Sequence, residues 1–151
     1  MTEGKKGPIE GGVPLHDCEA DGISLSGGVL TFRFSKGLWL DPHEAAGVRT
    51  DAARVSFPLR DYDPSGVEIY VFEKGFRGER RQRWSVDRLA RAVNGGRYRL
   101  EFVDAFMGYR ERLYRCQLNS DKKPCCLECQ LLIPAEEVIC RWDRLQTERD
   151  E

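Results

Sequence analysis

Residues 110–142, RERLYRCQLNSDKKPCCLECQLLIPAEEVICRW, decide the fold. In 110–118, Tyr114, Cys116 and Leu118 alternate with Arg115 and Gln117. In 126–133, Leu127, Cys129, Leu131 and Ile133 alternate with Glu128 and Gln130, and in 137–142 Val138, Cys140 and Trp142 alternate with Ile139 and Arg141. Successive side chains of a strand point to opposite faces, so each run has one apolar and one polar face. The breaks between runs, at 119–124 and at Pro134-Ala135-Glu136, are short and rich in turn formers. Such links join antiparallel neighbours, because a parallel crossover needs a dozen residues or more. The stretch therefore reads as a three-stranded meander.

The same period recurs upstream. It places Leu30, Phe32 and Phe34 on one face of 29–35, Ala53, Val55, Phe57 and Leu59 on one face of 53–59, and Tyr98, Leu100 and Phe102 on one face of 97–102. A weaker strand covers 19–25, with a bulge expected at Gly22. The run VEIYVF at 67–72 is apolar on both faces, which predicts a strand covered on two sides. Ser26-Gly27-Gly28 and DYDPSG at 61–66 are turn signals. One segment changes period: Ser85 is an N-cap, Asp87 suits the positive end of a helix dipole, Val86, Leu89, Ala90 and Val93 fall at helical spacing, and Asn94-Gly95-Gly96 is a stop. The fold expected is mainly β, an α+β antiparallel β-sandwich or rolled sheet of about eight to nine strands, with the helix on one face or closing one end. Residues 1–12, rich in Gly and charge, read as a disordered tail, 13–143 as one β-rich domain, and 144–151 as a charged tail from which Leu145 can dock. The stretch 41–52 fits a loop or a single helical turn.

The bulk numbers bound the function. A chain of 151 residues forms one ordinary core. Twenty-four Lys and Arg against twenty-five Asp and Glu, a net charge of −1, argue against a nucleic-acid binder, whose phosphate contacts favour a basic surplus. The apolar runs are far shorter than the roughly 20 residues that cross a bilayer, and MTEGKKGPIEGG has no apolar core for a secretory signal. The expectation is a cytoplasmic protein with reduced thiols and no membrane partner.

The cysteines are the most conspicuous chemistry. Cys125, Cys126 and Cys129 form CCxxC, and Cys116 and Cys140 lie on flanking runs. Zinc takes four tetrahedral thiolates or imidazoles, so Cys116, Cys126, Cys129 and Cys140 are the candidate ligands. Against this, no second CxxC follows, Cys126 and Cys129 point to opposite faces of a flat strand, and Cys116, Cys129 and Cys140 fill inward slots where a thiol is a small apolar group. The expectation is therefore core thiols and no cofactor, with zinc or redox chemistry as the alternative and Cys125 as the exposed thiol. His16-Asp17 reads as a polar turn, and neither it nor His43 carries a metal motif. No GxSxG, Walker or GxGxxG pattern occurs. Arg77–Trp84, RGERRQRW, reads as a solvated loop entering the helix, with phosphate contact as the alternative. Asp61-Tyr62-Asp63 lacks the rest of a calcium loop. Trp39, Tyr62, Tyr70 and Phe72 are candidates for an aromatic binding groove, with core packing as the competing reading.

Leu15-His16-Asp17-Cys18 followed by ISLSGGVLTFRF, with the later YRLEFVDAF and the final CRW, resembles small uncharacterised bacterial β-rich proteins, a domain of unknown function. Some proteins of this look are immunity proteins that neutralise a toxin by binding it. The resemblance implies a non-enzymatic interaction protein of the bacterial cytoplasm with a protein partner, and it carries over no catalytic residue. Two alternatives stand beside it, a metal or redox module on the C-terminal cysteines, and a hydrolase or small-molecule binder with a pocket between the sheets. Open edge strands leave room for a homodimer.

Overall fold

A computed structural model describes residues 15–40, 48–142 and 145–146. The expectations for 1–12, for 41–47 with His43, and for the C-terminal tail apart from Leu145–Gln146 lie outside the described residues. In chain order the strands are β1 (Glu19–Ala20), β2 (Gly22–Ser26), β3 (Val29–Phe34), β4 (Trp39–Leu40), β5 (Val48–Thr50), β6 (Ala53–Pro58), β7 (Glu68–Gly75) and β8 (Gly78–Trp84). The helix α1 (Val86–Asn94) follows, then β9 (Arg99–Gly108), β10 (Glu111–Asn119), β11 (Cys126–Ile133), β12 (Ile139–Trp142) and β13 (Leu145–Gln146). The strands pair antiparallel into a six-stranded sheet, β1-β9-β10-β11-β7-β8, a four-stranded sheet, β12-β6-β3-β2, and a small β13-β5-β4 sheet. No helix among the described residues is long and apolar enough to cross a membrane.

The two larger sheets pack face to face as a sandwich. Their inward faces are the alternating apolar sets read from the sequence: Leu30, Phe32, Phe34, Val55 and Phe57 from one sheet, and Leu100, Phe102, Tyr114, Cys116, Leu118, Cys129 and Leu131 from the other, all buried. Phe32 meets Phe102 edge-on at 5.4 Å between ring centres, and Phe57 meets Tyr114 at 5.7 Å. These T-shaped contacts lock the sheets in one register.

The helix closes one side. Ser85 Oγ accepts from the Arg88 N–H at 3.0 Å, as an N-cap should, and Leu89 and Val93 point inward. Asn94, expected only as part of the stop, also ties α1 to β2: its side chain accepts from Ile23 N–H at 2.8 Å and donates to Ile23 C=O at 2.9 Å.

Five expectations are corrected. Within 41–52, expected as a loop or a single helical turn, Val48–Thr50 is the strand β5, paired with β4 and β13. The weak first strand is two strands in different sheets, β1 and β2, because the chain crosses at Asp21, whose carboxylate accepts from Ser35 N–H at 3.2 Å. The solvated loop at Arg77–Trp84 is the edge strand β8, held by β7 from Gly75↔Gly78 to Ile69↔Trp84. β7 is covered on one face only: Ile69 and Val71 are buried, while Tyr70 and Phe72 are half-exposed. Finally, β9 runs past Phe102 to Gly108. The pairing slips between Cys116↔Phe102 and Arg115↔Asp104, leaving Val103 as a bulge residue that masks the period.

Candidate interaction surface

An antiparallel sheet with one face on the core normally turns a polar face to water. The four-stranded sheet largely does so, with Ser24, Thr31, Ser56, Arg33, Arg54 and Arg141 on its outer side beside the half-exposed Val29 and Ile139. The six-stranded sheet does not. Phe106, Leu113 and Leu132 are direct cross-strand neighbours on its outer face, Phe106↔Leu113 between β9 and β10 and Leu113↔Leu132 between β10 and β11. Phe106 is 55% exposed, and Leu113 and Leu132 are half-exposed.

The rows beside this apolar one carry aromatic and charged groups. One runs Arg83↔Tyr70↔Gln130↔Arg115↔Asp104, the other Arg81↔Phe72↔Glu128↔Gln117↔Glu101. Arg81 stacks over the Tyr70 ring at 4.7 Å, and the Tyr70 hydroxyl donates to Glu68 at 2.7 Å, which raises the pKa of that phenol. Asp104 pairs with Arg115, and Asn119 donates to Glu101 at 2.9 Å. The face is thus basic at β8, apolar towards the start of β10, and internally neutralised at β9.

The β9–β10 hairpin stays paired to Glu111↔Gly108 and carries Phe106, Met107 and Tyr109, three of the exposed large apolar residues. At its base Arg112, only 3% exposed, donates to the Ala135 and Glu136 carbonyls at 3.2 and 2.8 Å. Arg110 reaches Glu136 at 3.2 Å. These contacts fasten the hairpin to the turn after β11. The neighbouring Tyr114 hydroxyl is pushed up to about 12 by burial, which outweighs the Arg112 charge.

The structure separates most of the residues singled out in the sequence. Tyr70 and Phe72 share the outer face of β7. Trp39 belongs to the small sheet, where Arg49 stacks on it at 5.0 Å, and Tyr62 is an exposed turn residue. No single groove joins the four. Tyr62 instead packs its backbone on Gly28, where the positive φ of 73° and a Cβ clash at 2.4 Å both require glycine.

The cysteines divide the same way. Cys116 and Cys129 are cross-strand partners in the core, Cys140 is buried on β12 in the opposite sheet, and Cys125 and Cys126 are exposed. Burial pushes the Cys129 thiol up to about 12 and Cys116 well above its ordinary value. Among the described residues no three His, Cys, Asp or Glu side chains are placed to hold a metal.

His16 and Asp17 form the expected polar turn, and it docks on the β9 bulge. His16 Nδ1 lies 2.6 Å from Val103 C=O, and Asp17 N–H donates to Phe102 C=O at 2.9 Å. Between the sheets, beside Ile23, Leu30, Ile69 and Leu89, the free space is about 10 Å³, the size of one water. A larger open groove of about 560 Å³ beside Trp84 and Leu25 is also lined by Arg83 and by Asp63, whose carboxylate is held by Ser65.

The signal that sequence reasoning missed was Leu113, Leu132 and Phe106: each stands in the polar slot of its strand. Comparison with family models, with curated proteins and with solved structures finds no match for this chain.

Proposed function

We propose that this is a non-enzymatic interaction protein that docks a protein partner on the outer face of its six-stranded sheet. The observation that carries this reading is the apolar row Phe106–Leu113–Leu132 in slots that face water. Cross-strand contact buries this row only in part, and contiguous apolar surface flanked by aromatic and arginine side chains has the composition of a protein interface. Tyr70, Phe72, Arg81 and Arg83 supply that flank, and their charge favours a partner with acidic groups facing β8. The filled space between the sheets and the scattered cysteines weigh against a buried small-molecule site and a metal centre. A toxin held inactive by an immunity-like protein in a bacterial cytoplasm is one form of this reading, and the buried thiols suit a reducing compartment.

The test uses the full chain as bait in an extract of its source cells, followed by rebinding of the purified partner. Truncating interface hot spots costs about 2 kcal/mol or more, so Phe72→Asp with Leu132→Asp is expected to weaken binding by roughly thirtyfold or more. Equal binding by wild type and variant, or turnover of a small substrate by the isolated chain, overturns the reading.

A further inference from the structure

The six-stranded sheet has two edges, and they are treated differently. β8 carries Glu79, Arg80, Arg81 and Arg83, the charge guard of an edge that stays free. On the other side β1 covers β9 only at Leu100 and Glu101, and the turn at His16-Asp17 covers Phe102 and Val103. Residues 104–108 of β9 have no partner strand on that side among the described residues, and from Ala105 to Gly108 they carry no charge. Phe102 turns its N–H and C=O outward, towards Cys18 and Asp17. Continuing the alternation past the bulge, Ala105 and Met107 present theirs outward as well.

We propose that this edge pairs with the same edge of a second copy of the chain, antiparallel about a two-fold axis at Phe106. The open window selects the register, because 104–108 is centred on Phe106. Asp104 then faces the second copy's Gly108, so no like charges meet, and Ala105 and Met107 exchange backbone hydrogen bonds with the second copy's Met107 and Ala105. A shift towards Phe102 collides with the Leu15–Cys18 turn, and a shift towards Tyr109 runs out of strand. Side chains fit the same axis. On the inner side the long Met107 lies opposite the small Ala105. Beyond the paired window the second copy's Tyr109, 85% exposed in the single chain, comes up to the His16 turn over Val103, beside a depression of about 280 Å³ bounded by Leu15, His16, Phe102, Ala105 and Tyr114. Each copy thus offers a projecting ring and a matching hollow, as a closed two-fold contact requires. On the outer side, Phe106 meets Phe106, so the apolar row runs unbroken into the second copy. This pairing is independent of which protein the sheet face binds.

Sedimentation of the full chain at micromolar concentration is expected to give a dimer, and Ala105→Pro, which removes an outward N–H at an edge where proline is tolerated, a monomer. Oxidation gives a second reading that does not depend on how that variant folds. In a chain with Cys125→Ser and Cys126→Ser, Phe106→Cys is expected to form a disulfide-linked dimer. Leu113→Cys, about 14 Å from its mate across three strand spacings, is expected not to. A monomeric wild type, whether its edge is bare or covered by the chain's own N-terminal residues, overturns the proposal. So does a dimer that survives Ala105→Pro or fails to cross-link at Phe106→Cys.

Discussion

Cys116 and Cys129 face each other across β10 and β11 with no exposed surface. Thiolates, not thiols, react, so both should be inert to a thiol reagent in the folded chain while Cys125 and Cys126 react at once. A native-state labelling count checks this. If all six label together, the core assignment is wrong. The same burial makes a pH prediction. The folded chain keeps protons on Cys129 up to about 12 and on Cys116 well above the ordinary value, whereas an unfolded thiol loses its proton near about 8.5. Stability from these groups is therefore complete below the unfolded value and is lost as pH rises from there towards the folded one. Urea midpoints between neutral and strongly alkaline pH should fall, and fall less steeply in Cys116→Ala/Cys129→Ala. Asn94 is the other residue with a distinct role. Asn94→Ala leaves the Ile23 N–H and C=O without their side-chain partners and should cost roughly 1–3 kcal/mol of unfolding free energy. An unchanged midpoint would show that water replaces the amide without loss.

At the scale of elements, the strands that bury every second side chain were legible in the sequence, because burial writes the period into the residues themselves. The inward sets of β3, β6, β10 and β11 were read directly, and so was the helix from Ser85, since cap and spacing agree. What was hidden lacks that imprint. β8 is an edge strand with a single buried residue, Trp84, so its sequence looks like a charged loop. β9 lost its period at the Val103 bulge, and β4, β5 and β13 are too short to show one. The candidate face was half legible. Tyr70 and Phe72 stood out as aromatics, but the apolar row depends on which residues of three strands stand side by side. That is register, and no single strand contains it. Register also exposes a strain on the other sheet, where Arg33, Arg54 and Arg141 are direct neighbours, with Asp21 at 3.5 Å from Arg33. Like charges side by side on a sheet are destabilising by about 0.2–1 kcal/mol. Arg54→Glu should therefore raise stability by about that amount, measured by urea unfolding, and a loss of stability would contradict the register.

For the whole molecule, the two sheets have divided their tasks. The four-stranded sheet, the helix and the inner face of the six-stranded sheet build the core. The outer face and free edge of the six-stranded sheet carry apolar side chains that the core does not use. That division is the basis for reading the protein as one that binds rather than one that catalyses. A photocrosslinking amino acid in place of Leu132, in the full chain expressed in its source cells, tests this most directly, with Arg88 on the exposed side of α1 as the control position. The account predicts a discrete adduct to a protein partner from position 132 and none from 88. Equal labelling from both positions, or no adduct from 132, would contradict it.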